Sequence, residues 1–294
     1  MSESDLQTTQ LWEDPDYFLA SVRFTSRVTT FAPLLIEKDY VCTVLLEYLS
    51  QATDKLVFKG GTCLAKVHSD FYRLSEDLDF VIPMPVDAQR AERSKQAIPL
   101  KQAIEKLTKR LPRFRLVHPL KGANKSTQYI AVVGYPSLIR RQEEIIKIEV
   151  GLREPLLTPV MNGPARTIML DPVSGKPLLA PVSMKCISKA EAMAEKFRAA
   201  LSRREAAIRD FFDIDYAIRR LGLHPKDSDF IQLIRRKLNM PGNDPVDVSG
   251  NRLNILRLQL EPHLKPVLRS KDFVEFDLDR AFEIVAAVAT TVLS

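Results

Sequence analysis

The sequence predicts an α+β fold, in which a mixed α/β region is followed by a helical region. Short apolar or alternating runs typical of strands occur between residues 56 and 150, and helical periodicity dominates from residue 188 onward. The regular strand–helix alternation of a doubly wound sheet is missing. A proline-rich, loop-like stretch at residues 155–181 separates the two regions. We therefore expect one domain at residues 1–185 and a C-terminal helical domain at residues 186–294.

The first region starts with helix, strand, glycine turn, short helix and strand, in that order. Apolar side chains recur at helical spacing over residues 15–50, and residues 56–58 form a short apolar run that stops at Gly60-Gly61. Thr62 is expected to cap a short helix. Residues 77–82 alternate between polar and apolar, which is typical of a half-buried strand.

The remaining elements follow from the same periodicities. The first region adds one helix and three strands, at residues 87–111, 114–117, 129–133 and 145–150. The second region divides into five predicted helices, at residues 188–203, 205–221, 227–238, 251–260 and 273–291.

Composition excludes several classes of protein. Of the 294 residues, 45% are hydrophobic and 27% are charged, the balance of a soluble globular protein. Apolar runs are too short to span a membrane and the N-terminus is acidic, so we expect a cytoplasmic protein with no membrane partner. Cys42, Cys63 and Cys186 are far apart in sequence and the histidines are scattered. The sequence therefore predicts neither a disulfide framework nor a zinc cluster.

Positive charge is concentrated in one stretch of the chain. The net charge is +6, yet residues 101–147 contain 11 basic side chains against three acidic ones, which gives +8 for that stretch alone. Such a field attracts polyanions, and nucleic acid is the obvious candidate. A solvated basic surface produces the same pattern, and charge alone favours that simpler interpretation.

Two neighbouring polar motifs could carry chemistry. The first is Lys59-Gly60-Gly61-Thr62, and the second is Arg73-Leu74-Ser75-Glu76-Asp77-Leu78-Asp79-Phe80. A strand over residues 77–82 would place Asp77 and Asp79 on one face, where two carboxylates repel unless a cation such as Mg²⁺ lies between them. The glycine pair lets the backbone approach a phosphate closely. Glu149, on the later strand, is a third candidate acid, with Lys147 on the same face.

The order of these motifs resembles the nucleotidyltransferase superfamily, in which a glycine turn precedes a metal-binding pair of acids. Three further segments narrow the resemblance to the AbiEii/AbiGii-type nucleotidyltransferase toxins, the group that includes the mycobacterial MenT toxins. These segments are Glu37-Lys38-Asp39-Tyr40, Ala194-Glu195-Lys196-Phe197 and Arg209-Asp210-Phe211-Phe212-Asp213-Ile214. The similarity covers roughly residues 34–220.

The resemblance implies a nucleotidyltransferase-type mixed β-sheet core with flanking helices. It also implies a bacterial toxin with a cognate antitoxin, which uses Mg²⁺ and an NTP to add nucleotides to RNA, with the acceptor end of tRNA as the expected target. Carried over residue by residue, it makes Asp77, Asp79 and Glu149 the acidic metal ligands.

The same resemblance implies contacts to the nucleotide. These would come from Lys59, Gly60, Gly61, Thr62 and Ser75. Lys196 would bind the triphosphate, and Asp213 would support or deprotonate the reacting groups. The stretch between Lys196 and Arg209 is slightly longer than the usual family spacing, so Asp210 is an alternative to Asp213.

Other interpretations of these residues stay open at this point. Glu205, Arg209 and Asp213 are spaced four residues apart on a predicted helix and could form a plain salt-bridge ladder. Arg219 and His224 fit the Arg-x4-His spacing of HEPN-type ribonucleases, a motif of low information. A third alternative is a catalytically inactive nucleotidyltransferase fold that binds RNA or a partner protein.

Overall fold

The computed structural model describes residues 11–294, and these form two compact units. The described residues up to Leu156, together with Val160–Ile187, form the first unit. The second unit comprises Leu157–Pro159 and Ser188–Ser294. The expected domains at residues 1–185 and 186–294 stay a prediction, and residues 1–10 lie outside the described part of the chain.

Two helices open the first unit, where the sequence predicts one helical stretch. Helix α1 spans Pro15–Thr29 and helix α2 spans Pro33–Ala52. The break occurs because Thr30 adopts a left-handed backbone conformation (φ 62°) and Pro33, which has no N–H to donate, begins α2. Most of α2 is buried, including three consecutive charged side chains at positions 37–39.

One mixed sheet forms the centre of the first unit. Its strands are β1 (Val57–Lys59), β2 (Leu78–Val81), β3 (Arg115–Ala123), β4 (Gln128–Pro136), β5 (Glu143–Gly151), β6 (Met161–Ala165) and β7 (Val182–Cys186). Among the described residues these seven strands follow the order β3-β4-β5-β2-β1-β7-β6. Strand β2 is antiparallel to β1 and parallel to β5. The mixed sheet with flanking helices confirms the predicted α+β class.

The connections of this unit contain three further helices: α3 (Gly60–Cys63), α4 (Arg90–Gln96) and α5 (Ile98–Arg110). Helix α3 continues directly into a single π-helical turn, Leu64–His68. Lys59, and not Thr62, occupies the position before α3. The expectation that Thr62 caps the helix is therefore wrong, because the helix already begins at Gly60 and Thr62 lies inside it.

The two faces of the central strands differ in exposure. Along β5, Ile146, Ile148 and Val150 are fully buried, whereas Lys147 and Glu149 are half-buried. Successive side chains of a strand point to opposite faces, so the more open face carries the charged residues. Alternation in the sequence predicted this division correctly for β5.

The proline-rich stretch contains a strand that the sequence analysis missed, and a second strand follows it. Strand β6 pairs antiparallel with β7, and β7 pairs parallel with β1, so the supposed loop adds one strand to the sheet and the segment after it adds another. Strands β3 and β6 form the outer edges of the sheet. Each contains a proline, Pro119 and Pro164, which edge strands tolerate because no ladder donor is needed on the free side.

The second unit is helical, as predicted. Its helices are α6 (Lys189–Ser202), α7 (Ile208–Arg220), α8 (Ser228–Leu238), α9 (Gly250–Gln259), α10 (Ser270–Glu275) and α11 (Leu278–Leu293). The predicted helix over residues 273–291 is two helices, because Asp277 caps the start of α11 by accepting a hydrogen bond from the backbone N–H of Arg280. Within residues 11–294, no helix combines the length and the apolar character needed to cross a membrane.

Candidate active site

The glycine pair lies at the end of β1 and packs against the acidic motif. Gly60 has a φ of +76°, and a Cβ atom there would collide with the carboxylate of Asp79. A Cβ atom at Gly61 would collide with the guanidinium of Arg73, a side chain that is only 2% exposed. Both positions therefore require glycine, for backbone conformation at Gly60 and for close approach at both. Thr62 adds a link, since its hydroxyl donates to the backbone carbonyl of Asp77.

The acidic residues lie in one row across the sheet. Lys59 on β1 is the register partner of Asp79 on β2, and Asp79 is the register partner of Glu149 on β5. Register partners lie about 5 Å apart at their Cα atoms and share a face. The row continues to Ile130 on β4 and to Lys121 on the outer strand β3. We name these five positions the acidic row after Asp79 and Glu149, although Lys59, Ile130 and Lys121 also belong to it.

Asp77 and Ser75 precede β2 and are both half-buried. Asp77 immediately precedes the strand, two residues before Asp79, which is the spacing that the sequence analysis used to place both carboxylates on one face. The structure brings Lys59, Gly60, Asp79 and Glu149 together around this point.

The electrostatics of the acidic row are asymmetric. Burial, together with the nearby negative charge of Glu149, raises the pKa of Asp79 to about 6. Lys59 opposes this shift, but its effect is smaller than that of Glu149. Burial acts in the same sense on Glu149, but Lys147 at 3.0 Å and the Gln128 amide at 2.7 Å hold the pKa of Glu149 below its usual value. An added cation would therefore stabilise the ionised form of Asp79 more than that of Glu149.

Helix α2 supports the site through its Glu37-Lys38-Asp39 segment. The backbone N–H of Leu138 donates to Glu37 at 2.7 Å. Lys38 forms ion pairs with Glu76 at 2.9 Å and with Glu144 at 3.4 Å. Lys38 therefore ties the segment just before β2 to the beginning of β5, which are the two strands that carry Asp79 and Glu149.

Asp39 makes the third of these connections. It pairs with Lys66 at 2.6 Å and accepts hydrogen bonds from Thr167 and from the backbone of Ile168, each at 3.0 Å. Lys66 is 1% exposed and follows the glycine turn in the π-helical segment. In the sequence, residues 37–40 stand out only through their similarity to a segment of the nucleotidyltransferase toxins. Three adjacent charges inside an otherwise apolar helix were the signal for a buried supporting network.

Lys196, Asp210 and Asp213 lie in the second unit. The Nζ atom of Lys196 is 2.7 Å from Asp210 and 2.9 Å from Asp213. The two aspartates extend from the first two turns of α7, and both are buried. One lysine therefore contacts both acids between which the sequence analysis could not choose.

The chain carries the signature of a known family over most of its length. The family model described as "Nucleotidyl transferase AbiEii toxin, Type IV TA system" matches residues 44–287. The chain belongs to this family. It is accordingly a nucleotidyltransferase of the toxin type, which confirms the resemblance seen in the sequence.

Solved structures are similar to this AbiEii-family protein at low sequence identity. JHP933 from Helicobacter pylori gives a TM-score of 0.51 at 15% identity, covering 89% of this chain and 93% of that one, which supports the fold. The nucleotidyltransferase toxin MenT4 from Mycobacterium tuberculosis gives 0.37 at 16% identity, covering 92% and 98%. That score is too low to carry an argument. A search of curated proteins found no match.

Family membership and geometry remove two alternative interpretations. Helix α7 of the AbiEii-family protein ends at Arg220, and His224 lies beyond it in a turn. Arg219 is paired with Asp215 at 2.8 Å, so the Arg-x4-His spacing is not a helical ribonuclease motif. The three-residue ladder on one helix is also wrong, because α7 begins only at Ile208 and Glu205 lies before it.

Proposed function

We propose that this AbiEii-family protein uses Mg²⁺ to transfer nucleotides from an NTP to RNA, with the acceptor end of tRNA as its target. The observation that carries the proposal is the packing of Gly60 against Asp79, which belongs to the acidic row. This packing puts a close-approach backbone beside acidic oxygens, which is the combination that a metal-bound triphosphate requires.

The donor set fits Mg²⁺. Asp77, Asp79 and Glu149 offer carboxylate oxygens, the ligands that hard divalent cations prefer. Burial, and after it the nearby negative charge of Glu149, raises the pKa of Asp79, and a cation would compensate that charge. We assign Asp77 and Asp79 as the main ligands and Glu149 as the completing acid. Bound Mg²⁺ would neutralise charge on the triphosphate and orient it for displacement.

The chain's own residues would position the nucleotide. The backbone at Gly60 and Gly61 allows close approach of phosphate oxygens, and Lys59 supplies positive charge in the acidic row. Thr62 and Ser75 complete the proposed phosphate contacts. In the reaction, a ribose hydroxyl oxygen of the RNA attacks the α-phosphorus of the NTP, a phosphodiester bond forms and pyrophosphate leaves.

Lys196, Asp210 and Asp213 keep their proposed roles on the family resemblance. Lys196 would bind triphosphate, and one of the two aspartates would support or accept a proton. Both acids contact Lys196. To bind the triphosphate, Lys196 would therefore have to break its ion pair with one aspartate and form a new one with phosphate oxygens. Unfolding and NTP-affinity measurements on a Lys196→Ala variant test this requirement.

The RNA contact is proposed for the basic edge of the sheet. In residues 101–147, Arg115 and Arg140 are paired with acids, at 2.5 Å to Glu143 and at 3.2 Å to Glu144. Lys121 is exposed on the outer strand β3 and belongs to the acidic row. An RNA strand bound at Lys121 could continue along the open face toward Asp79.

An antitoxin protein is the expected partner, since the family is defined as part of a toxin–antitoxin system. We propose that toxin and antitoxin act in the cytoplasm, where NTPs and tRNA are available.

Incubation with labelled NTPs and Mg²⁺ tests the proposal, using intact tRNA, tRNA without its 3′-terminal nucleotides, and an unrelated RNA of equal length. We expect intact tRNA to become longer and to gain label. Asp79→Ala should abolish incorporation, whereas Glu105→Ala, which changes an exposed acid on α5, should not. Shortened RNA would indicate a nuclease, and bound but unchanged RNA would indicate an inactive binding module.

A further inference from the structure

Three residues that are separated in sequence converge beside the glycine turn. Cys63 is the last residue of α3, His68 ends the π-helical turn that follows, and Cys186 ends β7. Their two sulfur atoms and a ring nitrogen all lie within 4.8 Å of one another. The three residues are far apart in sequence, and the pairing of β7 with β1 brings Cys186 close by placing it opposite Phe58.

The surroundings are those of a built site. Both cysteine side chains are fully buried, and His68 is half-buried. A Cβ atom at Gly163 would lie 2.4 Å from Val67 Cγ1 and 2.9 Å from the Cys186 sulfur, so both side chains pack closely against this glycine. The cluster therefore has two buried sulfur atoms and one half-buried member, His68.

The hydrogen bond of His68 defines which ring nitrogen can act as a ligand. Its Nε2 atom lies 2.8 Å from the carbonyl oxygen of Ile187. A carbonyl can only accept, so Nε2 donates this hydrogen bond, and Nδ1 is the ring nitrogen left to face a metal ion. Metal-binding histidines commonly donate their second ring N–H to a backbone carbonyl in this way.

The chemistry of the sulfur atoms agrees with this arrangement. The thiolate is the form of cysteine that binds metal ions.

We propose that Cys63, His68 and Cys186 form a binding site for a thiophilic metal ion of the Zn²⁺ class. Two thiolates balance the 2+ charge in the buried interior, and the imidazole supplies a neutral third ligand. A water molecule on the half-exposed side of His68 completes four-fold coordination. The site is chemically distinct from the carboxylates of the acidic row, which favour hard cations.

The site has a structural consequence for the glycine turn. Cys63 closes the short helix that begins at Gly60, and Cys186 lies on the strand next to β1. The metal would therefore fix both sides of the turn that follows β1. The inference concerns metal binding and does not depend on the proposed transfer reaction.

Zn²⁺ titration of the full-length, metal-stripped, reduced protein against a chromogenic chelator tests the site. We expect one Zn²⁺ per chain and a higher melting temperature. Cys63→Ser and Cys186→Ser should each lower Zn²⁺ affinity by more than about tenfold. Cys42→Ser is the matched control, because Cys42 is also buried but outside the cluster, and it should retain wild-type stoichiometry.

Co²⁺ substitution of the wild-type protein keeps the inference testable if a cysteine variant fails to fold. Thiolate ligation should give an intense near-ultraviolet charge-transfer band and strong visible bands of tetrahedral Co²⁺. Absence of these bands, or Zn²⁺ uptake that both cysteine variants keep at wild-type affinity, would overturn the proposal. A Cys63–Cys186 disulfide formed with hydrogen peroxide in a protein that takes up no metal would identify a redox pair instead.

Discussion

Replacing Lys196 with alanine should destabilise the protein, whether or not this lysine also binds the nucleotide. The ammonium group lies 2.7 Å from Asp210 and 2.9 Å from Asp213. The three side chains are 13%, 6% and 0% exposed, respectively. Lys196→Ala leaves two carboxylates with little access to water and without their shared cation.

The expected cost follows from the burial of these groups. Removing one partner of a buried ion pair costs about 3–5 kcal/mol, and the partial exposure of Lys196 argues for the lower end of that range. About 3 kcal/mol corresponds to a fall in Tm of roughly 6–12 °C on the scale that applies to chains of about 150–250 residues.

Thermal and denaturant unfolding measure this cost. Lys226→Ala, at an exposed turn position, is the matched control and should change stability by less than about 0.5 kcal/mol. Adding Asp213→Asn to Lys196→Ala should recover part of the loss, because it removes one of the two buried negative charges that shared Lys196. NTP affinity is measured in parallel at a temperature where each variant is folded.

A Lys196→Ala protein that melts within about 2 °C of wild type would refute this reasoning. If its NTP affinity were also lost, Lys196 would be a ligand of the triphosphate without a structural role. If it unfolds early and yet binds NTP normally while folded, the proposed triphosphate role is wrong.

Three further perturbations address the sheet. Asp79→Asn should raise the free energy of unfolding of the metal-free protein at pH 8 by up to about 3 kcal/mol, since burial raises the pKa of Asp79 to about 6. The gain should shrink as the pH falls through 6 and vanish below about pH 4, which urea unfolding in a chelator would show. Gly60→Ala should abolish nucleotide incorporation, whereas Gly175→Ala, also at positive φ but with open space around it, should only lower Tm slightly. Lys121→Gln should reduce the salt dependence of RNA affinity by about 0.7 in log–log slope, and Lys106→Gln, on the exposed side of α5, should not.

Local periodicity was sufficient to predict the open face of the sheet. The alternation through Lys147 and Glu149 follows from the two-residue period of a strand. The glycine pair was equally visible, because a positive φ at Gly60 is a local property.

Contacts between distant residues were not predictable in the same way. Asp39 meets Ile168 across 129 positions, and Cys63 meets Cys186 only because β7 pairs with β1. Such contacts depend on strand order, which no short motif encodes. Strand β6 was missed because its Pro164 is typical of loops, although an edge strand accommodates it.

The composition of the two outer strands limits how the sheet can associate. Strand β3 contains Pro119, exposed Lys121 and shifts in its register with β4, and β6 contains Pro164. Missing donors, irregular pairing and exposed charge make an edge a poor template for another strand. Neither a second copy of the chain nor an extended peptide is therefore expected to bind by β-augmentation, so recognition of this protein must rely on side-chain surfaces.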